Sequence, residues 1–147
     1  MRRAQAALAA FAFLLLPAAA SAAPAVTARD GWFRYLLPQI PAGGFVTLAN
    51  AGDTSAVLTG ASSPACGSAM LHRSLNRSGM DMMVQVKSIT IPAHGTFRFA
   101  PGDYHIMCMK PRMTLGGTAD VTLRFRNAPD LTVPFTVYGA DGRPAGQ

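Results

Sequence analysis

The octapeptide YHIMCMKP, residues 104–111, holds His105, Met107, Cys108 and Met109 in one strand-length run. That density of imidazole and sulfur either fills a core or grips a metal. Alternation separates the two roles, because successive side chains of a strand point to opposite faces. Ile106 belongs with a core, which sends His105, Met107 and Met109 to the other side. The same rule applied to Ser68–Leu75 puts Leu71 and Leu75 inside and His72 outside. Arg73 then stands in the inner register, which calls for a bulge or an early strand end. In Met80–Lys87, the residues Met82, Val84 and Val86 form the apolar set, whereas Met83 shares the wet face with Asp81, Gln85 and Lys87. Four outward donors result: His72, ten residues, Met83, twenty-one residues, His105, one residue, Met107. Met70, Met80 and Met113 read as packing or edge residues.

Two imidazoles with two thioethers select an ion. Thioethers bind hard calcium and magnesium poorly, and zinc favours thiolate, imidazole or carboxylate. Cu(I) accepts sulfur and nitrogen together, and no carboxylate stands in the pattern, so Cu(I) is the ion the donors predict. Thioethers cannot be lost to disulfides, which suits an oxidising space; their weakness is oxidation to the sulfoxide.

These donors need strands to carry them. Short alternating runs separated by turn residues extend over Val26–Arg34, Gly44–Asn50, Ala56–Ala61, Ser68–Leu75, Met80–Lys87, Gly95–Phe99, His105–Met109, Val121–Phe125 and Leu131–Val137. That spacing predicts an all-β chain, an antiparallel sandwich or Greek-key barrel. Ahead of it, Arg2 and Arg3, an apolar run from Ala6 to Pro17 and the small residues Ala20-Ser21-Ala22 have the form of a cleaved signal peptide over 1–22. No cysteine follows the cleavage point to take a lipid, so a soluble exported protein without a membrane span is expected. Residues 23–138 then form one domain, and the glycine-bearing 139–147 a frayed tail.

Without Arg2 and Arg3 the formal charge falls from +6 to +4, and the chain contains no glutamate. Its basic residues are scattered, with no run and no interleaved aromatics, which argues against nucleic-acid binding. No Ser-His-Asp, Cys-His or paired-carboxylate arrangement points to an enzyme: His94 lies in a turn, PAHG, and the aspartates mostly occupy turns. In an oxidising space Cys66 and Cys108 either pair as a disulfide or ligate metal.

The spacing His72, Met83, His105-Ile106-Met107 resembles the signature of periplasmic copper chaperones of the PCu(A)C type. The segments DGWFR, GGFVTLANAGD, LTGASSPACGSAMLH, ITIPAHGTFRFAPGDYHIMCM and VTLRF look like that family's blocks in the same order. The resemblance implies a cupredoxin-like Greek-key β-sandwich with His72, Met83, His105 and Met107 as copper ligands. It also implies a monomer that carries Cu(I) through the periplasm toward the copper centre of a haem-copper oxidase, directly or alongside another copper carrier. Arg73 departs from the family, where an acidic residue commonly follows the first histidine, and places positive charge beside the site; Met109 is the other auxiliary position. Cys66 and Cys108 lie outside the family signature. On a regular strand Cys108 points away from His105 and Met107, which favours a disulfide to Cys66. One copper per chain follows, since the His- and Met-rich tail of some members is absent.

Two other readings compete. An electron-transfer cupredoxin needs a cysteine followed closely by histidine and methionine, and no histidine follows Cys108. A metal-free interaction module is the other, since a sandwich scaffold does not dictate function.

Overall fold

In a computed structural model, residues 22–142 are described, and they form ten strands without a helix. These are β1 (Val26–Arg34), β2 (Ala42–Asn50), β3 (Ala56–Ser62), β4 (Ser68–Arg77), β5 (Met80–Gln85), β6 (Ile89–Ile91), β7 (Thr96–Arg98), β8 (Tyr104–Met109), β9 (Thr118–Phe125) and β10 (Leu131–Tyr138). The proposed signal peptide lies outside the described residues, apart from Ala22, as does the tail beyond Gly142.

Hydrogen bonding links the strands in one path, β5-β4-β8-β2-β1-β10-β9-β3-β6, and off this path β7 pairs with Thr47–Ala49 of β2, beyond the stretch Ala42–Gly44 that pairs with β8. The path curls over so that its two arms enclose one core. Phe33 from β1, Leu48 from β2, Leu58 from β3, Ile106 from β8, Leu123 from β9 and Phe135 from β10 belong to the same fully buried cluster. Alternation makes this possible: β9 reads exposed, buried, exposed, buried from Thr118, the pattern of a strand with one face on a core. Every pairing is antiparallel except β1 with β10, which run parallel in register Trp32 to Thr136 and Arg34 to Tyr138. An all-antiparallel reading therefore fails at that seam, where two strands far apart in sequence meet.

Two further differences have local causes. Ile89–Ile91 is a three-residue strand, too short for alternation to register. Gly139 and Gly142 close a hydrogen-bonded turn, 3.0 Å from Gly142 N to Gly139 O, and Gly142 is buried beside Trp32 and Arg34, so residues 139–142, expected to fray, form an ordered turn.

Asn50 is the main polar group inside. Its Oδ1 accepts from the N–H groups of Ala25 and Gly52 at 3.1 and 3.0 Å, while its Nδ2 donates to the carbonyls of Thr54 and Ile91 at 2.8 and 3.3 Å. A buried amide with its groups satisfied costs little and ties three segments together.

Candidate metal centre

The centre is built on the seam between β4 and β8. Their antiparallel register sets His72 directly opposite His105, and Met70 opposite Met107. On the next strand, Ser74 faces Met83 and His72 faces Gln85, so Met83 stands diagonal to His72. Because side chains alternate, His72, Met83, His105 and Met107 share one face of the sheet, and Leu71, Ile106 and Cys108 share the other, inside the core. The two imidazole centres lie 5.8 Å apart with planes at 65°. With metal–nitrogen bonds of about 2 Å, an ion sits roughly 3 Å from each ring centre, so two rings can share one ion up to about 6 Å apart. The separation fits.

Hydrogen bonding prepares one ring. The Asp103 carbonyl accepts from His105 Nδ1 at 3.1 Å, and since a carbonyl only accepts, Nδ1 carries a proton, which in the neutral imidazole leaves the lone pair on Nε2. That Nε2 is buried and has no hydrogen-bond partner, and neither has Nδ1 of His72. The same Asp103 oxygen accepts from Ser74 N at 3.0 Å, which joins the turn before β8 to β4. Burial first, and the neighbouring His105 second, hold the His72 pKa below the ordinary 6.5, a shift that favours the neutral ring, the form that can bind a metal.

His105, Met107 and Met83 line one pocket of about 350 Å³, with Arg34, Phe45 and the segment Leu36, Ile40 and Pro41 as its far wall. That wall corrects one expectation. His105 faces away from the core yet is only 5% exposed, recessed in a pocket it shares with the β1–β2 connection and Pro101-Gly102. Met83 behaves as expected, 62% exposed on edge strand β5.

Met82 does not. It is 43% exposed rather than packed, because the β4–β5 hairpin runs past the end of the sandwich and its inner face meets no opposing strand. Arg73 is also displaced from its expected place near the donors. It occupies the face opposite His72, where its guanidinium lies 4.9 Å over the Tyr104 ring and its Nε 3.5 Å from Asp103 Oδ1. No bulge is needed, since the core face simply reaches solvent beyond Leu71. Met109 shares the donor face but pairs with Ser68, one step beyond Met107. Cys66 and Cys108 are joined in a disulfide on the core side. His94 is remote, its Nε2 2.7 Å from Asp53 Oδ1 in an exposed turn.

Sequence reasoning missed the wall made by Arg34, Leu36, Ile40, Pro41 and Phe45. A signal for it existed in YLLPQIP, an apolar run between two strands where a polar turn is the norm.

Among the described residues no helix is long and apolar enough to cross a membrane. The family model described as "Putative lipoprotein LpqE-like" matches residues 26–137. The Leifsonia xyli subsp. xyli protein "Putative lipoprotein Lxx21020" is 36% identical over 101 residues, 67% of this chain, and the chain spans 61% of that relative's length. Among solved structures, the solution structure of CuI-DR1885 from Deinococcus radiodurans is similar at 30% identity, with a TM-score of 0.60 over 82% of this chain and 81% of that one. The copper-bound PCuAC domain from PmoF2 superposes with a TM-score of 0.65 at 21% identity, over 80% of this chain and 96% of the domain, a likeness of fold. An all-β single domain, a family match over nearly all its strands and a PCuAC-type architecture lead to one assignment: the chain belongs to the LpqE-like family, which is of the PCu(A)C type.

Proposed function

We propose that this protein is a Cu(I)-binding metallochaperone of the periplasm, with His72, Met83, His105 and Met107 as the copper ligands. The observation that carries the reading is the pair of unpartnered buried ring nitrogens, His72 Nδ1 and His105 Nε2, beside two thioethers on one sheet face. Burying a polar nitrogen without a partner costs on the order of 1–3 kcal/mol, which an arriving metal offsets. A soft, neutral donor set suits Cu(I), and the names of the similar structures, copper-bound PmoF2 domain and CuI-DR1885, support the same ion.

The site combines anchored and loose donors. His105 is oriented by the Asp103 carbonyl, as a hydrogen bond to the far ring nitrogen orients metal-binding histidines elsewhere. Met83, on an exposed edge, can swing away so that an acceptor's donors enter one at a time. Copper is therefore cargo, and delivery toward the copper centre of a haem-copper oxidase, directly or through another carrier, is the role we assign. The test is anaerobic titration with Cu(I) against a competing chelator. One tight site is expected in the wild type, and unaltered binding in Met83→Leu, His105→Ala and Met107→Leu alike would remove the proposed ligands.

A further inference from the structure

The pocket beside the donors is much larger than an ion, and it contains a cation with no counter-charge. Arg34, at the end of β1, lies with its guanidinium 5.7 Å from the Trp32 ring centre and 5.8 Å from that of Phe45. Its Nε is buried without a hydrogen-bond partner. Behind it, Gly142 stands so close that a Cβ there would come within 3.3 Å of Arg34 Nη2 and 3.2 Å of the Trp32 ring. The ion pairs among the described residues join Arg29 to Asp30, Arg73 to Asp103 and His94 to Asp53, and none of them reaches Arg34. No acidic residue lines the pocket; besides Ser74 and the His105 ring its walls are apolar or thioether, chiefly Leu36, Ile40, Pro41, Met83 and Met107.

We infer that this pocket is a carboxylate-binding subsite. Arg34 receives the carboxylate, and the walls receive an aliphatic or thioether body attached to it, the chemistry of a methionine-like residue bearing a free carboxylate. A guanidinium held over aromatic rings has its terminal N–H groups in one plane, and a planar carboxylate can match two of them with two parallel hydrogen bonds. The charge count points the same way. If copper binds as proposed above, four neutral ligands leave its +1 beside the +1 of Arg34, and an anion relieves the repulsion. That last argument rests on the copper reading, whereas the stacked, unpaired Arg34 does not.

The test uses the metal-free protein, so its failure and a failure of the copper reading are separate events. N-acetyl-L-methionine and its uncharged amide are titrated in turn while the methionine methyl and His105 ring signals are followed by NMR. The acid is expected to bind about tenfold or more tightly than the amide, the scale of a charge-assisted pair of hydrogen bonds. Arg34→Gln should erase that preference and Arg34→Lys should keep only part of it, because a point charge lacks the fork. Equal affinity of acid and amide, binding of neither, or a preference undiminished in Arg34→Gln would overturn the subsite. The acid–amide comparison in the wild type needs no variant, so it stands even if a substitution unfolds the chain.

Discussion

Strand β8 and the β4–β5 hairpin carry the donors in opposite ways. On β8, His105 and Met107 alternate with Ile106 and Cys108, both fully buried, and Cys108 is bonded to Cys66. The strand is pinned from the core side, and its donor side inherits that rigidity. At the β5 end of the hairpin, Met80, Met82 and Met83 are all exposed, and only the pairing with β4 holds the strand. For the proposed carrier role the difference teaches that a site can combine two stiffnesses: one part preorganised to bind, another free to let go.

Removing the pin should have the largest effect on stability. The disulfide closes a loop with a sequence separation of 42, and chain-entropy reasoning gives about 4 kcal/mol for a loop of that size. Cys66→Ser with Cys108→Ser should lower unfolding free energy by about that much in denaturant titration. If rigidity of β8 passes to the donor face, the double variant should also weaken Cu(I) binding, and unchanged affinity in a destabilised protein would break the comparison.

The next largest effect is expected on the metal. His105→Ala removes the oriented member of the proposed ligand set and should cost at least about 100-fold in Cu(I) affinity, beyond the usual cost of losing a group that only hydrogen-bonds to a ligand. Its circular dichroism should stay that of a folded β protein. Met83→Leu should act more weakly, by about tenfold, and through faster release rather than slower uptake, as most affinity differences lie in the off-rate. Stopped-flow transfer to a chelator checks it; a Met83 effect equal to that of His105 would mean that the hairpin is as rigid as β8. Being exposed, Met83→Leu should leave stability within about 0.5 kcal/mol.

The smallest effect concerns protons. The His72 pKa is depressed from 6.5 in the fold, so just below that pH the unfolded chain binds more protons than the folded one, and stability falls as pH falls. Denaturant unfolding of the metal-free protein on either side of pH 6.5 should show this slope, and His72→Gln should flatten it.

Much of the site was legible because β alternation is a local property. Placing Ile106 inside puts His105 and Met107 together on the other face whatever the rest of the chain does, and the cross-strand partner His72 follows the same rule. What alternation leaves open is whether a face meets solvent, core or a covering loop. Met82 was misplaced for that reason: its apolar phase was right, but the hairpin outruns the sandwich. His105 was misplaced in the converse way, because Leu36, Ile40 and Pro41 arrive from a connection that strand periodicity does not describe.

By itself, then, the sequence determined the class of fold, the facing of the strands that carry the proposed donors and the chemical softness of those donors, since backbone geometry and donor type are written residue by residue. Only the tertiary structure decided that His72 and His105 are cross-strand partners, that β1 runs parallel to β10 and that Arg34 lies over two aromatic rings outside every ion pair among the described residues. Those depend on contacts between segments tens of residues apart, whose register is set by long-range packing and not by any stretch of the chain alone.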